Sequence, residues 1–106
     1  MKILILTCSL AIFGMCCHTQ AEGGRDLFMT NCASCHGNDG KGQTAIGKKL
    51  DAKNLTESKF SAAEIEKRIA AGTKDAKGIV KMPAFAERLS PQQISDIAAF
   101  VKSLGH

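Results

Sequence analysis

Apolar residues return at helical spacing in three stretches of the chain, and nothing in the rest alternates like a strand, so the pattern predicts short helices joined by loops. The last stretch is the sharpest. Ile94, Ile97, Ala98, Val101 and Leu104 form one stripe, Ser90 and Gln93 make a capping box ahead of it, Pro91 takes the first helical position and Gly105 ends it. A second helix is predicted between Ser61 and Gly72, where Ser61 and Glu64 form another box and Ile65 and Ile69 share a face. The first covers residues 24–35, with Leu27, Phe28 and Cys32 on one side. Residues 37–60 and 73–89, rich in glycine, lysine and small polar residues, read as long loops, and something other than backbone ladders must order them.

Ahead of these helices, Lys2 is followed by an apolar run from Ile3 to Phe13 and then by Thr19-Gln20-Ala21, the arrangement of an export signal that ends in small residues. The run falls short of the roughly 20 residues that a membrane-crossing helix needs, so residues 1–21 are expected to be removed rather than kept as an anchor. Residues 22–106 then form a single domain. Cys8, Cys16 and Cys17 leave with the leader, and Cys32 and Cys35 remain as one pair. Lipid attachment at Cys16 or Cys17, which would tether the protein, is the weaker expectation, because the small residue wanted just before the cysteine is missing from Phe13-Gly14-Met15.

Composition narrows the class further. The 106 residues are 44% hydrophobic and 23% charged, as in a globular domain, and the formal charge of +4 drops by one when Lys2 departs. There are no tryptophans or tyrosines and no basic stripe interleaved with aromatics, which excludes nucleic acid as a partner. A domain this small buries a modest core and commonly leans on a disulfide, a metal or a cofactor.

The segment Cys32-Ala33-Ser34-Cys35-His36 addresses that need. On a helix, Cys35 and His36 lie three and four residues beyond Cys32 and face the same way, so two thioethers can anchor a porphyrin edge while the imidazole reaches the iron. The alternatives are weaker. A structural zinc site wants about four ligands, and His106 alone is left to add to the motif once the leader is gone. A thiol oxidoreductase places its pair beside a strand, and no strand pattern precedes this one. A plain disulfide leaves His36 unexplained, yet disulfide or thiol chemistry is what remains if haem is absent.

Given a haem, Met82 in the run Lys81-Met82-Pro83-Ala84-Phe85 is the expected sixth ligand, since Pro83 biases it toward an extended backbone behind a glycine-bearing loop. Methionine is more often core filler. Its rivals are Met29, on the helix that carries the thioethers and so badly placed for the opposite face, and His106.

With these residues in view the chain resembles the class I c-type cytochromes, small monohaem electron carriers of the c6, c551 and c553 kind. The resemblance covers essentially all of residues 22–106. It rests on Gly24 and Phe28 before Cys32, Phe100 on a crossing C-terminal helix, the run His36-Gly37-Asn38-Asp39-Gly40-Lys41-Gly42, and Met82-Pro83-Ala84-Phe85 ahead of a capped final helix. It implies an all-α cytochrome c-like fold, with three or more short helices and long loops wrapped around one covalent haem c. Cys32 and Cys35 would form the thioethers, and His36 and Met82 would be the axial iron ligands. One departure is visible. Many members carry a proline near the loop leucine, whose neighbourhood offers a carbonyl to the histidine, whereas this chain reads Gly47-Lys48-Lys49-Leu50. The family's tryptophan or arginine near the propionates is also missing, so no propionate partner is assigned, Lys53 and Asn54 being the nearest candidates.

With both axial positions filled, iron passes an electron but offers no open position for bond chemistry, so the expectation is a periplasmic carrier rather than an enzyme. A displaceable Met82 would make it a haem-based gas sensor or weak peroxidase instead. Leu27, Phe28, Leu50, Ile69, Phe85 and Val101 are the expected haem surroundings, and Phe60 is expected as core or haem wall. Lys48, Lys49, Lys53, Lys74, Lys77 and Lys81 lie in the two loops, where they form either a rim that steers an acidic redox partner or a merely solvated surface. The default oligomeric state is a monomer.

Overall fold

In the computed structural model, which describes residues 20–105, the chain runs through α1 (Gln20–Asn31), α2 (Ala33–His36), α3 (Ala45–Leu50), a 3-10 turn (Leu55–Glu57), α4 (Ala62–Ala71), strands β1 (Thr73–Lys74) and β2 (Val80–Met82), and α5 (Pro91–Gly105). Almost all of the expected leader, including Cys16 and Cys17, and His106 lie outside the described residues.

Both capping boxes form. Ser61 Oγ accepts from the Glu64 N–H at 3.1 Å while Glu64 Oε1 accepts from the Ser61 N–H at 2.8 Å. Ser90 and Gln93 do the same at 3.1 and 2.9 Å. Each box satisfies amides that a bare helix start leaves without partners, which fixes where α4 and α5 begin. Gly72 closes α4 at φ 68°, a left-handed value that glycine adopts without strain.

The core lies where α1, α4 and α5 meet. Phe28 and Ile97 are fully shielded, and Ile65, Ile69, Ile94, Ala98, Phe100 and Val101 are buried with them. The α1–α5 crossing is close because position 24 has no side chain: a Cβ there would collide with the backbone carbonyl of Asp96. That approach lets the Phe28 and Phe100 rings meet at 5.2 Å, tilted by 53°, in a favourable aromatic arrangement. Burying Phe28 alone is worth about 1.5–3 kcal/mol.

Three features differ from the sequence expectation. The first helix is broken at Cys32, whose φ of −123° separates α1 from α2, although Cys32 N–H still donates to Phe28 O and His36 N–H to Cys32 O. Residues 37–60 hold α3 and the 3-10 turn rather than bare loop. Six residues are too few to show a helical period, and the Thr44 side chain caps α3 by accepting from the Gly47 N–H. Residues 73–89 contain an antiparallel hairpin, with Thr73 opposite Met82 and Lys74 opposite Val80 across an irregular register. It is the sole departure from an otherwise helical fold among the described residues. No helix among them is long and apolar enough to cross a membrane.

Candidate functional site

The break at Cys32 places the motif. Cys32 turns into the core at 8% exposure, whereas Cys35 and His36, one helical turn on, are half-buried. Both cysteines are free thiols. Burial, reinforced by neighbouring Cys35, pushes the Cys32 thiol up to about 11, so it is held as a neutral group.

His36 is oriented from outside the motif. Its Nδ1 lies 3.1 Å from the carbonyl oxygen of Lys53. A carbonyl can only accept, so Nδ1 carries the proton and Nε2 keeps its lone pair free. Burial lowers the His36 pKa from 6.5, with the Lys53 bond working the other way, and the neutral imidazole is the form that ligates metal. The carbonyl that holds His36 is thus that of Lys53, three residues beyond Leu50.

Glycines and one threonine bring Lys53 into range. Thr44 Oγ1 donates to Cys35 O at 2.8 Å while accepting from the Gly47 N–H, which docks α3 onto the motif. Gly47 itself approaches so near that a Cβ would strike Cys35 O. The Gly42 N–H donates to His36 O at 2.7 Å. At φ 73°, Gly42 also leaves room for the Ala52 and Lys53 carbonyls, which would lie 2.7 and 3.0 Å from a Cβ. Of the two candidates near the propionates, Lys53 contributes this carbonyl. The Asn54 side chain is committed to the 3-10 turn, accepting from Thr56 N–H and Oγ1–H at 3.0 and 2.6 Å.

Met82 comes from β2, partly buried against the core cluster to which Cys32 belongs. Its backbone is pinned from behind, since a Cβ on Gly72 would strike Met82 O. Downstream, Phe85 N–H donates to Ile69 O at 3.0 Å and Ala86 N–H to Ala70 O at 3.2 Å, stitching the segment to α4. Met29 also packs against the core, but on α1 beside the motif. Of the expected haem surroundings, Phe28, Ile69, Phe85 and Val101 are core residues, while Leu27 and Leu50 are half-buried. Phe60, expected as core or haem wall, is not part of the core. It is 38% exposed, with the Arg68 guanidinium 4.2 Å from its ring centroid, because it precedes the capped start of α4 on the surface.

Of the six lysines, Lys48, Lys49, Lys53, Lys74 and Lys77 are exposed, whereas Lys81 is half-buried with its Nζ 3.5 Å from Asp51 Oδ2. Ile79 and Val80, 56% and 49% exposed, stand among the hairpin lysines.

This donor set fits a covalently held haem. Two free thiols and an imidazole with a fixed tautomer share one turn, and a thioether side chain borders the same core. The competing chemistries fit less well: no group of three or more His, Cys, Asp or Glu among the described residues is arranged to hold a metal ion. The pair also follows a helix, not a strand.

Comparison with known proteins points the same way. Residues 21–105 match the family model described as Cytochrome c. The chain is 40% identical over 84 residues to the Cbb3-type cytochrome c oxidase subunit FixP of Sinorhizobium medicae (strain WSM419), a match covering 79% of this chain and 27% of that protein. It is 40% identical over 82 residues to cytochrome c6 of Nostoc sp. (strain PCC 7120), covering 77% of this chain and 68% of that one. Among solved structures, the KustC0563 c-type cytochrome superposes with a TM-score of 0.66 at 28% identity, covering 78% of this chain and 98% of that one. The chain spans about a quarter of the length of its FixP relatives.

Proposed function

The chain belongs to the cytochrome c family, haem-based electron carriers with covalent haem c, and on that premise we propose that it is an exported one-electron shuttle with His36 and Met82 as axial ligands. Cys32 and Cys35 would hold the macrocycle by thioether bonds. Bound there, haem would supply a reversible one-electron iron couple, and a methionine thioether together with an imidazole would favour the reduced state relative to two imidazoles. The chain's own residues do the rest. Lys53 O fixes the His36 ring, Gly72 and the Phe85–Ile69 bond seat Met82, and the apolar core keeps water away. With His36 and Met82 both engaged, the protein would carry electrons rather than perform bond chemistry.

The observation that carries this reading is the His36–Lys53 hydrogen bond, which leaves Nε2 aimed away from its partner as a neutral donor beside two free thiols. Export is supported by the leader pattern of residues 1–21 and places the mature protein, residues 22–106, in the periplasm. Redox proteins donate and accept the electron. The lysines around the exposed Ile79 and Val80 suit a partner with an acidic rim, which predicts electron transfer that slows as salt is added.

The test is the visible spectrum of the reduced protein with and without carbon monoxide. An unchanged low-spin spectrum in the native protein, with carbon monoxide binding appearing in Met82→Ala, is the expected result. Strong binding by the native protein would overturn the closed His36–Met82 pair and bring forward gas sensing or peroxide chemistry. Replacing either Cys32 or Cys35 by alanine should remove one thioether and shift the pyridine haemochrome band.

A further inference from the structure

We propose that the Asp51–Lys81 ion pair is a clasp that governs how often Met82 leaves the iron, by tying the strand that presents Met82 to the loop that holds His36. The inference rests on the axial ligation proposed above. Lys81 Nζ and Asp51 Oδ2 lie 3.5 Å apart, joining segments 30 positions apart in the chain.

Each end of the pair sits next to a functional position. Asp51 ends α3 in the left-handed region at φ 59°, and its N–H donates to Gly47 O. The following Ala52 N–H also bonds Gly47 O at 2.8 Å, and one residue later Lys53 O accepts from His36 Nδ1. Asp51 is therefore anchored to the histidine side of the site. Lys81 immediately precedes Met82 in β2.

The two sides of Met82 are held unequally. Downstream, backbone bonds to Ile69 and Ala70 fasten the segment to a core helix. Upstream, β2 opens with the exposed Val80 and is paired with the two-residue β1 across an irregular register. The turn before it is closed by bonds of its own, with Asp75 N–H donating to Ile79 O and Asp75 Oδ1 accepting from the Lys77 and Ile79 N–H groups, so these bonds stay within the hairpin and do not reach a core helix. The ion pair reinforces this weaker side. Its side chains are 28% and 75% exposed, so it adds little to global stability. Its effect falls on a local opening, where a small free-energy difference rescales the open population directly.

Carbon monoxide binding to the reduced holoprotein reads that population, because entry waits for Met82 to depart. At low ionic strength, Asp51→Asn and Lys81→Gln should each raise the binding rate about two- to fivefold. Asparagine tolerates the left-handed backbone, so Asp51→Asn removes the charge and leaves the turn. The double variant should match either single variant, Lys81→Arg should keep the native rate, and high salt should speed the native protein while leaving the variants unchanged. Met82→Ala sets the open limit. If the native protein already binds at that limit, the ligation reading fails and the clasp with it. If Met82→Ala opens the site while Asp51→Asn and Lys81→Gln stay at the native rate, the clasp is overturned and the ligation stands.

Discussion

The helical frame and the two loops that flank the site are held by different means. α1, α4 and α5 are joined by side-chain burial around Phe28 and Ile97, with both later helices started by capping boxes. Residues 37–60 and the hairpin region are held chiefly by backbone and side-chain hydrogen bonds, glycine contacts and one ion pair. The frame is thus a matter of apolar burial, and the loops a matter of polar and main-chain contacts. On the proposed ligation, the first kind of contact would position the cysteines and the second would orient His36 and Met82.

The most severe way to break the contrast is from inside the frame. Phe28→Ala should lower unfolding stability by about 3–5 kcal/mol, measured by chemical denaturation of the holoprotein, since it empties a fully buried ring site. Gly42→Ala attacks the loops instead. A side chain at φ 73°, pressed on the Ala52 and Lys53 carbonyls, should cost about 1–3 kcal/mol and, unlike Phe28→Ala, alter the reduction potential through His36. Equal potentials in Gly42→Ala and the native protein would remove the Lys53 carbonyl from the site. Ser61→Ala should cost about 1 kcal/mol with no change in potential, because it touches only the start of α4.

The smallest effect is a pH dependence. Hydrogen bonds to Ser61, backbone first, hold the Glu64 carboxyl below its ordinary value of 4.5. A depressed carboxylate stabilises the fold above its unfolded-state pKa, and that contribution fades as pH falls through the folded value. Glu64→Gln should accordingly be slightly less stable than the native protein near neutrality, and the two denaturation midpoints should converge on acidification.

The same division explains what could be read from the letters. Ser61, Glu64, Ser90, Gln93 and the stripe on α5 announce themselves because caps and periodicity are side-chain signals, and the Cys32 to His36 motif is a side-chain signal of chemistry. The frame and the motif were legible for that reason. α3 was not: Ala45–Leu50 has a glycine at its centre and Ile46 half exposed, so no apolar face repeats, and the one local clue is Thr44 as a cap. The histidine's partner is a backbone carbonyl, which any residue type at position 53 would offer, and side-chain pattern cannot name it. The hairpin escaped because two- and three-residue strands are too short to alternate.

The close crossing of α1 and α5 has a consequence for mutational tolerance. Gly23 and Gly24 are neighbours of the same type, yet a methyl on Gly23 would meet only Asp96 Oδ2 at an ordinary 3.8 Å, while one on Gly24 would run into the Asp96 backbone. The obstacle is main chain, so no exchange at position 96 can relieve it. A saturation library would therefore find position 24 confined to a single letter, position 23 open to small residues, and position 96 varied with no compensating change at 24.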